Sequence, residues 1–183
     1  RQMCIRDRYI GTQVAPRNLS DLEVWSQLGV KNICTDPFKE NDEGEFSSIN
    51  PHEWTKEILE KHIEILEKNG LKLDMVQIPL SSRPLEESQS PNIMLGKSPE
   101  RDREIESIQK IIELCSSVGI PAVKYNMNII GIPRSENEKG RGGSINSTFR
   151  WSKINQEENA GIAGVLDVDT NWERIDYFLE RVV

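Results

Sequence analysis

The 183-residue chain is poor in the residue types that most often mark a site: it has two histidines and three cysteines, and aromatic residues make up 6%. Cys4, Cys34 and Cys115 are odd in number and widely spaced, which suggests neither a disulfide framework nor a thiolate metal site. Cys34 falls in a β-rich run and Cys115 on the apolar side of a helical pattern. Both are expected to be small buried hydrophobes in a reducing cytoplasm. The two histidines, His52 and His62, lie ten residues apart on one helical stretch, too far apart to share a coordination sphere, so surface or packing roles are expected of them. HExxH, CxxC and Walker patterns are all missing.

No apolar run approaches the roughly 20 residues of a membrane-spanning helix. The net charge of −7 comes from 30 acidic residues interspersed with 23 basic ones. That is the pattern of a solvated surface and offers no basic face for nucleic acid. Neither a membrane nor a nucleic acid is therefore expected as a partner. Residues 1–8 contain no apolar h-region, and Met3-Cys4-Ile5-Arg6-Asp7-Arg8 fits no periodic template. They resemble translated adaptor sequence and are expected to be a non-native leader. The far end, Glu180-Arg181-Val182-Val183, stops inside a helical pattern.

Between these ends one unit recurs. A short β-rich run leads into a long polar stretch, then an amphipathic helix, then Gly followed by an aliphatic residue that opens the next run. The junctions are Leu28-Gly29-Val30, Asn69-Gly70-Leu71 and Val118-Gly119-Ile120. Gly just past a helix end takes the left-handed conformation that stops the helix at little cost. Strands are expected within 9–14, 30–35, 71–80 and 120–128, covered on both faces as in a parallel sheet. Helices are expected after a Ser20/Glu23 capping box, after Asn50-Pro51 with Glu53, after Ser98-Pro99, and after a Thr170/Glu173 box. Their apolar stripes are Leu22, Trp25 and Leu28; Trp54, Ile58, Leu59, Ile63 and Leu66; Ile105, Ile108, Ile112 and Cys115; and Trp172, Ile175, Leu179 and Val182.

Helix-to-strand connections are little more than Gly, whereas strand-to-helix connections are long, at 36–49, 81–97 and 129–169. In parallel α/β folds these loops gather at the carboxyl ends of the strands, where ligands bind. Four βα units do not close a barrel, which takes about eight. An open flavodoxin-like sheet usually carries a Gly-rich phosphate turn after its first strand; here that turn reads Gln13-Val14-Ala15-Pro16-Arg17. The expected fold class is α/β, a (β/α)8 TIM barrel present as a truncated half of about four units over 9–183.

Candidate site residues follow from this placement. Alternation puts Lys124 and Asn126 on one face of the fourth strand. If that face is the interior, both point towards the site; otherwise Lys124 snorkels past a helix. Asn126 can offer both a donor and an acceptor to a hydroxylated ligand. Arg134 and Arg141, in the loop that follows, suit bidentate grip of a carboxylate, and Gln13 ends the first strand. Gly140-Arg141-Gly142-Gly143 is expected to be a lid or substrate loop before it is a phosphate nest.

The run Asn92-Ile93-Met94-Leu95-Gly96-Lys97-Ser98-Pro99-Glu100-Arg101-Asp102-Arg103-Glu104-Ile105, then Gly119-Ile120-Pro121, then Lys124-Tyr125-Asn126, resembles the mannonate dehydratase family. Gly11-Thr12-Gln13 and the segment from Trp172 to Val183 resemble a divergent branch of it. The chain departs from the family at Ser81-Ser82, where a His is usual, and at Met127-Asn128-Ile129-Ile130-Gly131, which replaces an aromatic-rich segment. The resemblance implies a xylose-isomerase-like (β/α)8 barrel that dehydrates D-mannonate to 2-keto-3-deoxy-D-gluconate in glucuronate catabolism. It also implies a divalent metal (Mn²⁺, Fe²⁺ or Mg²⁺), with metal ligands and catalytic groups beyond Val183. The partner is a small sugar acid, the fragment alone is expected to be inactive, and the complete enzyme is open to homo-oligomer formation. Gln13, Lys124, Asn126, Arg134 and Arg141 are then expected to bind substrate. The competing readings are a sugar isomerase or epimerase on the same barrel, and a non-catalytic α/β binding module.

Overall fold

The structure is a computed structural model and describes residues 10–154 and 161–183. The expected leader, Tyr9 and part of the third long loop lie outside the described residues. In chain order the elements begin β1 (Gly11–Thr12), α1 (Leu19–Gln27), β2 (Asn32–Cys34), β3 (Phe38–Glu40), β4 (Phe46–Ser48), α2 (Lys56–Lys68) and β5 (Lys72–Gln77). They continue with α3 (Pro91–Leu95), α4 (Glu100–Ser117), β6 (Val123–Lys124), β7 (Glu138–Lys139), β8 (Ile145–Asn146) and α5 (Val168–Val182). The chain divides into two compact units: residues up to Pro79 with Glu106–Tyr125, and Leu80–Ile105 with Asn126–Val183. No composition shift in the sequence marks this division.

The first unit holds a four-stranded sheet in the order β1-β2-β5-β6, with every neighbouring pair parallel. This is a mixed α/β architecture with sequential parallel strands, consistent with part of a barrel. Each junction glycine is left-handed, with φ of 84° at Gly29, 74° at Gly70 and 81° at Gly119. The connections from helix to strand are therefore short, at four residues before β2, three before β5 and five before β6. The paired segments are shorter than the β-rich runs that contain them. Pro121, which has no N–H for a ladder, precedes the two-residue β6.

One face of the sheet carries the core. Ile33, Leu73 and Val76 are buried together with Leu22, Leu59, Leu66, Ile108, Ile111 and Cys115 of the covering helices. The other face corrects the expectation of strands covered on both sides. Alternation turns Asn32, Cys34 and Asp36 away from Ile33 and Thr35, and Asn32 donates from Nδ2 to Asp74 Oδ2 at 2.6 Å. Residues 36–49 are not a plain loop. They form the antiparallel β3–β4 ribbon, with Phe38 and Phe46 stacked at 4.0 Å between ring centroids.

Three helix starts differ from expectation. Asn18 caps α1 by accepting from the Asp21 N–H at 3.2 Å, because the chain turns two residues before Ser20. Asn50-Pro51 starts only a 3₁₀ turn, Pro51–Glu53, and α2 is capped afresh by Thr55, whose Oγ1 accepts from the Ile58 N–H at 3.3 Å. Asp167, not Thr170, caps α5; its Oδ1 accepts the Thr170 N–H at 2.8 Å. Asp and Asn compete well with Ser and Thr for this position. On α2, His62 is buried between Leu59 and Leu66, within the stripe it was expected only to border. Its ring meets Phe38 edge-on at 4.8 Å. On α4, Ile111 is buried and Ile112 half-buried.

The second unit is built on buried Leu80, Leu85, Ile93, Met94, Ile105 and Phe178. Within it, the antiparallel β7–β8 ribbon is clamped by Arg150, which donates from Nε and Nη2 to the two oxygens of Glu138, each at 2.6 Å.

Candidate functional site at the carboxyl ends of the parallel strands

The carboxyl ends of β1, β2, β5 and β6 bring four polar side chains into one neighbourhood of the first unit. Lys124, at the end of β6, donates from Nζ to Oε1 of Gln13, just past β1, at 3.0 Å. Of the two placements open to Lys124, the structure has the one facing the strand ends. Asp36, two residues past β2, accepts the backbone N–H of Gln77 on Oδ1 at 2.7 Å, which fixes its carboxylate at the end of β5. Cys34 ends β2 and is half-buried, a correction to its expected burial: it shares the polar face with Asn32 and Asp36.

Charge couples these groups. Burial pushes the Asp36 carboxyl above its ordinary range, while the Gln77 N–H and the Lys124 ammonium pull it part of the way back. Burial also pushes the Cys34 thiol up. Lys124 opposes this and Asp36 adds to it, so the thiol stays protonated near neutrality and is a poor nucleophile. Asp36 and Lys124 are not in direct ion-pair contact, since one turns to Gln77 and the other to Gln13. The arrangement offers a carboxyl hydrogen-bond acceptor, a cation and an amide at one mouth, which suits a ligand bearing both hydroxyl and acidic groups.

The other three expected site residues belong to the second unit. Asn126 is half-buried, and its backbone N–H donates to the Leu80 carbonyl at 2.8 Å. Arg134 is exposed, next to Ser135, whose N–H donates to the Thr148 carbonyl at 2.8 Å. Arg141 is exposed at the tip of the β7–β8 ribbon, where Gly142 is left-handed with φ of 68°. Asp36 was missed at the sequence level because it opens a polar stretch rich in acids. The alternation Asn32-Ile33-Cys34-Thr35-Asp36 was the available signal.

Much of the motif from Asn92 to Ile105 has a structural role. Glu104 accepts from Asn92 Nδ2 at 2.6 Å and from the Ile93 N–H at 3.1 Å, closing the amino end of α3. Gly96 ends α3 in the left-handed conformation, and Arg174 donates to the Met94 carbonyl at 2.7 Å. Asp102 accepts from Tyr177 Oη at 2.5 Å and from Ser98 Oγ at 2.9 Å. The Tyr177 ring lies near two guanidiniums, with Arg101 at 3.4 Å and Arg181 at 3.3 Å from its centroid.

A shallow depression of about 430 Å³ on α5 is lined by Asp169, Trp172, Glu173, Asp176, Tyr177 and Glu180. Four carboxylates make it unsuited to an anionic ligand. Among the described residues no three His, Cys, Asp or Glu side chains converge as a metal site. The described residues therefore do not fit the implied metal.

No protein-family model and no curated protein matches the chain. Among solved structures it is similar to the crystal structure of mannonate dehydratase from Streptococcus suis serotype 2, with a TM-score of 0.69 and 20% identity. The similarity covers 96% of this chain and 49% of the other, so the chain spans about half the length of that enzyme and shares the fold of that half.

Proposed function

We propose that the full-length protein is a mannonate dehydratase-like hydro-lyase that converts D-mannonate to 2-keto-3-deoxy-D-gluconate and water. In this reading the four parallel strands are half of a (β/α)8 barrel. The observation that supports it best is the fold likeness to a mannonate dehydratase over 96% of the chain. The resemblance of the Asn92–Ile105 run, the Gly-Ile-Pro strand entry and the Tyr-Asn strand end points the same way. The reaction removes the proton α to a carboxylate and expels the 3-hydroxyl. A divalent cation, Mn²⁺, Fe²⁺ or Mg²⁺, would supply charge stabilisation when bound, and residues other than the described ones would hold it.

This chain's own contribution is to bind and orient the sugar acid. In the first unit the candidates are Lys124 and Gln13 at the strand mouth; in the second unit, taken by itself, they are Asn126, Arg134 and Arg141. The test is to incubate the full-length protein with Mn²⁺ and, separately, D-mannonate, D-xylose and D-fructose, and to read products by NMR. Formation of 2-keto-3-deoxy-D-gluconate from mannonate alone supports the proposal. Aldose–ketose interconversion without dehydration replaces it with an isomerase, and no turnover of any of the three rejects it.

A further inference from the structure

We propose that Asp36 and Lys124 form a two-ended grip for a hydroxy acid, with Lys124 taking the carboxylate and Asp36 a hydroxyl of the same molecule. The inference rests on the sugar-acid reading above and deepens it by assigning the two ends of the ligand, one of them to a residue that no sequence motif marks.

Two bonds orient the pair without satisfying it. The Gln77 N–H holds Asp36 Oδ1 at 2.7 Å. Among the described residues none donates to Oδ2. Lys124 is held from the other side by Gln13 Oε1 at 3.0 Å, which uses one of its three ammonium protons. A purely structural pair would close on itself, because a direct contact is the cheapest way to settle two half-buried opposite charges. Here each charge is instead steadied by a neutral neighbour. A dicarboxylate would set one acid against Asp36, and a simple polyol would leave the ammonium without its anion. A hydroxyl beside a carboxylate satisfies both, as donor to Asp36 Oδ2 and acceptor at Nζ. Cys34, two residues before Asp36 and held protonated, adds no charge to the mouth.

The test measures equilibrium binding to the full-length protein by calorimetry. The probes are D-mannonate and D-mannitol, which has a hydroxymethyl group in place of the carboxylate. The variants are Lys124→Met, Lys124→Arg and Asp36→Asn, each checked by a melting curve. Lys124→Met is expected to weaken mannonate by about tenfold or more and to leave mannitol within about twofold. Lys124→Arg, which keeps the charge, recovers part of the mannonate loss, and Asp36→Asn weakens both ligands several-fold. The proposal is overturned if Lys124→Met weakens both ligands equally, if Asp36→Asn changes neither, or if the wild type binds neither. Should Lys124→Met not fold, the comparison of Lys124→Arg with Asp36→Asn decides on the same ratios. Turnover is not needed, so retained binding without dehydration defeats the dehydratase reading alone. Dehydration that is indifferent to both residues defeats the grip alone.

Discussion

Lys124 Nζ and Gln13 Oε1 lie 3.0 Å apart, although their strands, β6 and β1, are the two outer strands of a four-stranded sheet. In a flat sheet, three inter-strand steps would separate these strands by about 14 Å, with side chains on one face standing parallel. Contact between them takes long side chains that lean across the sheet, a face that curls, or both. With Asp36 at the end of the neighbouring β2, the mouth is a place where a small polar ligand can be held from several strands at once.

That hydrogen bond is exposed, so its contribution to stability is small. Gln13→Leu is expected to lower the unfolding free energy by about 0.5–1 kcal/mol. A urea titration of the full-length protein checks this, and a loss several times larger would mean that the bond holds the sheet's curvature rather than a ligand group.

His62 carries an acid-sensitive part of the stability. It is 2% exposed, and neither ring nitrogen reaches a hydrogen-bond partner among the described residues. Burial pushes its imidazole from 6.5 down to about 4, with the backbone at Thr35 offsetting only part of the shift. The unfolded chain takes up a proton near pH 6.5 that the folded chain refuses until about pH 4. The contribution of neutral His62 is therefore complete above pH 6.5 and is lost as the pH falls towards 4, by about 3 kcal/mol. Urea midpoints between pH 7 and pH 4 should show that loss in the wild type and a much flatter profile in His62→Leu.

The parallel sheet was legible because its signals are local and redundant. Gly29, Gly70 and Gly119 mark where helices stop, and each is followed at once by an aliphatic residue that begins a β-rich run. Cap positions were less legible. Asn18, Thr55 and Asp167 compete with Ser20, Asn50 and Thr170 a few residues away, and tertiary packing decides which is used. The Lys124–Gln13 contact spans 111 residues, and the Asp36–Gln77 contact 41, so no window along the chain contains either pair. The division into two units was illegible because the boundary passes through the continuous amphipathic helix α4.

Glu104 holds the short helix α3 closed. Glu104→Ala leaves Asn92 Nδ2 and the Ile93 N–H without their acceptor, at a cost of about 1–3 kcal/mol. Hydrogen exchange at Ile93 and its neighbours should accelerate more than exchange in β5. Uniform acceleration would place the residue's role outside the cap.

Tyr177 separates packing from hydrogen bonding. Tyr177→Phe removes only the hydroxyl donated to Asp102 and should cost about 1 kcal/mol. Tyr177→Ala also removes the ring beside Arg101 and Arg181 and should cost about 2–4 kcal/mol. Thermal melts of the two variants test the order, and equal losses would contradict it.

The most direct test of the proposed sugar-acid grip at the strand-end mouth is kcat/KM for D-mannonate in full-length wild type and Lys124→Met at saturating Mn²⁺. Lys124→Met is expected to melt like the wild type and to lose about ten- to a hundredfold in kcat/KM, the cost of a missing charge-assisted contact. Wild-type kcat/KM in Lys124→Met would contradict it, because substrate would then be held without the group on which this mouth converges.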